Sequence, residues 1–178
     1  MKIQLTKKLL FAASLILINC GHECFAKDWN GIFPLYSTKT DVLNLSGIKE
    51  SVARSCVTPY PEAPTIEVNQ DYGPITYLYR FNESTLAVTY SRTICDGGYN
   101  VPEGRVLEIQ VLTERQPKWA ELWVPNRQTL KVRSSQSDSS VDYSDEKEGI
   151  SYFVKDGLVE SIAYGPSTAD DFLRCPKE

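Results

Sequence analysis

Histidine is almost missing from this 178-residue chain, occurring once, at position 22. Nucleophilic triads and catalytic zinc sites depend on imidazole, which accepts a proton near neutral pH or binds the metal. A chain processed downstream of His22 is excluded from most of that chemistry. Cysteine is sparse as well, with five residues and no Cys-x-x-Cys pair, which excludes the usual dithiol redox centre. Lys and Arg together number 19 against 23 Asp and Glu. Without clustered basic residues to displace counterions, nucleic acid and anionic lipid surfaces are excluded as partners. After residue 18 no apolar run approaches the roughly 20 residues a spanning helix needs, so no transmembrane segment is expected. No cofactor motif is found.

What is present begins with residues 1–26. Lys2, Lys7 and Lys8 precede the apolar run Leu9 to Ile18, and a short polar stretch ends in Cys24-Phe25-Ala26. A basic start, a short apolar stretch and a small-x-small end are the marks of a secretory signal peptide. Cleavage after Ala26 leaves 152 residues from Lys27 onward, with 16 basic against 22 acidic residues and a net charge of −6. The protein is therefore expected in the periplasm or outside the cell. The alternative is a lipoprotein: Leu17-Ile18-Asn19-Cys20-Gly21 matches a lipidation box, in which an acylated Cys20 tethers the chain to a membrane, although Asn19 stands where Ala, Gly or Ser is usual.

The exported part repeats itself. Tyr79, Leu86, Val88 and Tyr90 recur as Tyr143, Ile150, Tyr152 and Val154 at a spacing of 64 residues. The stretch Gly104 to Val111 recurs as Gly157 to Tyr164 at a spacing of 53. The 11-residue difference is an insertion in the first half, around Cys95 to Pro102, where Gly, Asn and Pro read as loop. Alternating apolar positions predict three strands per half. Arg80 to Ser84 and Lys155-Asp156-Gly157 close hairpins, the second with the Asp-Gly pair that tight turns favour.

Ahead of these strands, Ser37 to Gly47 predicts a helix, with Thr38 and Asp41 placed for a capping box and Gly47 as the stop. Val42 and Leu45 give it an apolar stripe. The second half offers only a shorter candidate, Trp119 to Trp123, ended by Pro125. Thr58 to Pro64 reads as extended and Ser134 to Ser140 as a polar loop. The predicted fold class is α+β: two tandem repeats, residues 27–116 and 117–178, each of one helix packed on a three-stranded antiparallel sheet. Each alone is marginal in size, so the two are expected to pack together, or merge into one larger sheet, as a single cooperative unit.

The pattern Ser-Thr-x-x-Asp-Val-x-x-Leu-x-Gly followed by antiparallel strands resembles the small domain of outer-membrane assembly lipoproteins, and, in tandem, the architecture of beta-lactamase inhibitory protein. Ser46 stands where that motif has Leu. The chain is also similar to a set of uncharacterised bacterial secreted proteins that open as Trp29 to Val42 does and close with the equivalents of Tyr164-Gly165-Pro166 and Leu173-Arg174-Cys175-Pro176. These resemblances imply an exported binding or envelope protein of tandem helix-sheet type, and no activity.

The remaining candidates for chemistry are few. Ser144-Asp145-Glu146-Lys147 fits Ser-x-x-Lys, but its partner motifs are absent. Asp142, Asp145, Glu146 and Glu148 contain the carboxylates a glycoside hydrolase needs; a solvated acidic loop reads more naturally. Asp138, Asp142 and Asp145 lack the turn that wraps calcium. For the cysteines, strand order puts Cys56 and Cys95 at one end of the sheet, and a Cys56–Cys95 disulfide is favoured; Cys95–Cys175 is the alternative. Tyr99, Trp119 and Trp123 are candidates for anchoring a partner, with the Trp pair as core cover the competing reading. The leading functional expectation is a non-enzymatic protein that recognises another protein or envelope macromolecule through its sheet face or the inserted loop. A small carboxylate-dependent hydrolase and a purely structural envelope module are the alternatives.

Overall fold

A computed structural model describes residues 27–49, 74–113, 115–134 and 139–176. The chain builds one antiparallel sheet. Its strands are β1 (Ile48–Lys49), β2 (Ile75–Phe81), β3 (Ser84–Tyr90), β4 (Val106–Thr113), β5 (Lys131–Ser134), β6 (Ser140–Asp145), β7 (Ile150–Lys155) and β8 (Leu158–Tyr164). They lie in the order β1-β2-β3-β4-β8-β7-β6-β5, so each half is a meander and the two join where β4 pairs with β8.

The turns follow residue chemistry. Asp156 and Gly157 both take positive φ, 50° and 77°, between β7 and β8, as a tight hairpin turn requires. Asn82 supplies the positive φ between β2 and β3. Between β6 and β7, the Asp145 carboxylate accepts the amides of Lys147 and Glu148 at 3.1 and 3.2 Å. Gly149 ends that turn at φ 70°, and a side chain there would collide with the Gly165 carbonyl.

Period-two patterning decides what lies on each face. Residues paired directly across antiparallel strands point to the same side. The row Tyr79, Leu86, Val111, Ile162, Tyr152, Tyr143 therefore crosses six strands on one face. That face is closed by the protein's own chain. Ile32 and Val42 join Leu86, Val88, Tyr90 and Ile109 over the first half, with Trp29 packed edge-on against Phe81 at 5.0 Å. Val124 and Leu130 join Ile150, Tyr152 and Val154 over the second, with Trp119 and Leu122 against them. Tyr164 packs against both clusters.

The expected helix-plus-sheet repeat is not what this chain forms. The α-helix α1 covers only Lys39–Leu43, five residues. Its capping box is present, with the Thr38 amide donating to Asp41 at 2.7 Å and the Asp41 amide to Thr38 Oγ1 at 3.3 Å. The bonds that the Thr38 amide and hydroxyl donate to the Asp41 carboxylate hold that carboxyl below its usual range. So short a helix places a single residue, Val42, in the core. The second half has a 3₁₀ turn, Trp119–Glu121, where the other helix was expected. Pro117 and Pro125 bracket it, and proline both removes an amide donor and disfavours helix in the residue before it. Irregular segments carrying large side chains cover the sheet in place of helices. Of the stretch expected as a polar loop, Ser134 ends β5 and Ser140 opens β6, and residues 135–138 lie outside the described residues. Cys20, Cys56, the signal region and Thr58 to Pro64 lie outside the described residues. No described helix is long and apolar enough to cross a membrane.

Candidate functional site

The end of the sheet that carries the inserted loop is tied to the C-terminal tail. Cys95 and Cys175 form a disulfide, with Cα atoms 5.8 Å apart and 80 residues between them in sequence. Cys95 is thus bonded to the alternative partner, and the favoured Cys56–Cys95 pairing is not formed. Backbone bonds flank the bridge: the Asn100 amide donates to Leu173 at 2.7 Å and the Cys175 amide to Gly98 at 2.9 Å. Below them Leu35, Tyr99, Val101 and Leu107 make a third apolar cluster. Asp170 is fully buried beside it, accepting from the Ser167 amide at 2.8 Å, the Ser167 hydroxyl at 2.9 Å and the Tyr36 hydroxyl at 3.0 Å. Strand order alone brought Cys56 and Cys95 to one end of the sheet; it could not show that the tail returns there too.

The three aromatic candidates separate. Tyr99 is 7% exposed, with the Arg174 guanidinium over its ring at 5.1 Å, so it is core and not an anchor. Burial pushes its hydroxyl above the usual range. Trp119 stacks on Tyr143 at 4.3 Å, while Arg127 lies over its outer face at 4.4 Å and donates to the carbonyls of Trp119 and Leu122. It covers the sheet. Trp123 is 82% exposed and is the one of the three free to meet a partner.

The opposite face of the sheet differs in kind. Two rows cross it from β4 to β5: Gln110, Ala163, Ser151, Ser144 and Lys131, then Leu112, Ser161, Phe153, Asp142 and Arg133. Although Ser161 is buried, none of these positions belongs to an apolar cluster, and this is termed the open face. Gln110 Nε2 donates to Ser161 Oγ at 2.8 Å, fixing the amide at the centre of the sheet. Short side chains otherwise make a low floor, in which Leu112 and Phe153 are the apolar members.

A shallow crevice of about 190 Å³ opens at one end of this floor, lined by Glu108, Ser144, Glu146, Ser151, Ala163 and Pro166 among others. Glu108 keeps contact with solvent, yet the surrounding sheet removes enough water to push its carboxyl above the usual range. Glu146 is paired with Lys131. Of the other candidate acids, Asp142 stands on the open face, Asp145 braces its turn and also lines this crevice, and Glu148 is exposed. Ser144 lies in β6 and Lys147 is exposed in the turn that follows. Among the described residues, no three His, Cys, Asp or Glu side chains are grouped to hold a metal ion.

Glu108, Gln110 and Phe153 were not singled out from sequence, although the signal existed. They occupy alternate positions to the core residues of strands that the pattern identified, and such positions face away from the core. Compared with known protein families, with curated proteins and with solved structures, the chain matches none.

Proposed function

We propose that this is an exported, non-enzymatic protein that binds another protein of the cell envelope through the open face of β4, β8, β7 and β6. The observation that carries this reading is the asymmetry of the sheet. One face carries apolar clusters closed by the protein's own segments, whereas the positions listed on the other belong to none of them. The open face offers what a protein interface uses: low polar side chains that allow close approach, a fixed amide at Gln110, and Phe153 as an apolar anchor within a polar surround. The absence of imidazole from the chain after residue 22 supports binding over catalysis.

Site-specific photocrosslinking tests it. A photoreactive residue at Phe153 is expected to give a discrete adduct in envelope extracts, and one at Gln128, exposed in the segment that covers the other face, none. Equal labelling from both positions, or from neither, rejects the open face as the binding surface. One observation favours carboxylate hydrolysis as a second reading: Glu108, whose carboxyl is raised by desolvation, shares a crevice with Glu146, which places two acids in one recess. Loss of a hydrolytic activity in Glu108→Gln, with unfolding unchanged, would establish that reading.

A further inference from the structure

We propose that removal of residues 1–26 creates a structural contact, in which the new α-ammonium group of Lys27 docks on the turn between β6 and β7. The proposal rests on the export reading for which bond is cut. It is argued from where Lys27 sits. Its backbone nitrogen lies 3.1 Å from the carbonyl oxygen of Glu148. The contact borders a crevice of about 170 Å³ whose lining includes Lys27, Asn126, Asp145, Glu148 and Tyr152. The receiving turn is held in place, because Asp145 accepts the amides of Lys147 and Glu148 while the Gly165 amide donates to the Gly149 carbonyl at 2.8 Å.

In the uncut chain the Lys27 nitrogen is a neutral amide with one hydrogen to give. Hydrolysis of the Ala26–Lys27 peptide bond by a signal peptidase adds the hydroxyl of water to the Ala26 carbonyl carbon, which leaves as a carboxylate. The released nitrogen takes up the remaining hydrogen of the water and the proton given up by the new carboxyl, and becomes an ammonium group with three donors. One donor keeps the Glu148 carbonyl, and the positive charge now stands beside a crevice lined by the carboxylates of Asp145 and Glu148. Hydrogen bonds from an ionised donor are about twice as strong as neutral ones. Position matters too. Lys27 leads directly to Trp29 and Ile32, which cover the first half of the sheet, while Glu148 belongs to the second. The processed terminus therefore clips the cover of one half onto a turn of the other.

The test inserts Gly-Ser between Ala26 and Lys27 in the full-length gene, so that processing leaves two extra residues and moves the charge away. Both proteins are isolated after export, their starting residue is fixed by intact mass, and their thermal unfolding is compared. The natural form is expected to melt about 2–4 °C higher, the shift that a stabilisation of roughly 1 kcal/mol produces in a domain of this size. Nα-acetylation of Lys27 is expected to remove the same increment, and Glu148→Gln to shrink the difference between the natural and extended forms. Equal melting of the natural, extended and acetylated proteins overturns the proposal. An exported chain that starts at an acylated Cys20 overturns it while leaving export intact, and a chain that is not exported at all removes both.

Discussion

Asp170 is the most deeply enclosed carboxylate among the described residues, and it closes the tail onto the rest of the molecule. Replacing it with alanine removes the acceptor of the Ser167 amide and hydroxyl in the interior. That change is expected to cost about 2–4 kcal/mol in urea unfolding, since a buried donor without a partner carries its full desolvation penalty. Asp170→Asn, which retains one oxygen, is expected to cost less. The tryptophans give a paired prediction at the same scale. Trp119→Ala removes a ring stacked on Tyr143 and is expected to destabilise by roughly 3–5 kcal/mol, whereas Trp123→Ala, at an exposed position, is expected to stay within about 0.5 kcal/mol. Residue type makes these two look alike in sequence; only the segment that carries them decides which ring lies on the sheet. Glu108 adds a pH dependence. Its folded carboxyl is raised by desolvation, so the folded state holds this proton more tightly than the unfolded chain does. The associated stability is present below the unfolded value and is lost as pH rises through the folded one. Glu108→Gln is therefore expected to flatten the fall in stability between acid and neutral pH, which urea titrations across that range will measure.

At the scale of elements, the disulfide is a covalent constraint between the inserted loop and the C-terminal tail. Replacing Cys95 and Cys175 together by serine releases the tail from the inserted loop and is expected to lower stability by about 2–5 kcal/mol, because the unfolded chain recovers the freedom of an 80-residue loop. Urea unfolding of the double variant under non-reducing conditions checks this. The strands were legible because alternation at period two survives wherever one face is buried, as in Leu86, Val88 and Tyr90. The turns were legible because Asn82 and Asp156-Gly157 are residues that tolerate positive φ. Strand β5 was not legible. Lys131-Val132-Arg133-Ser134 is exposed throughout, and a charged sequence is what keeps an exposed edge from pairing with another chain. The helix was overestimated for a related reason: the signals at its two ends were real, but they enclose five helical residues followed by a turn, and end signals do not report length.

For the whole molecule, the β4–β8 pairing and the position of Tyr164 against both apolar clusters predict a single unfolding transition. Trp29 reports on the first cluster and Trp119 on the second, so variants retaining one or the other tryptophan are expected to unfold at the same urea concentration. Two separated midpoints would show that the halves unfold independently. The amino-acid order determined on its own which residues alternate, where the chain reverses and which chemistry lacks its residues, because these depend on neighbours within a few positions. Only the tertiary structure decided that irregular segments cover the sheet in place of helices. It also decided that Cys95 meets Cys175, that Tyr99 is buried while Trp123 is not, and that the apolar clusters form on one face of the sheet. Each of those outcomes depends on which distant segments return to the sheet, and that is settled by how completely competing segments bury apolar surface together.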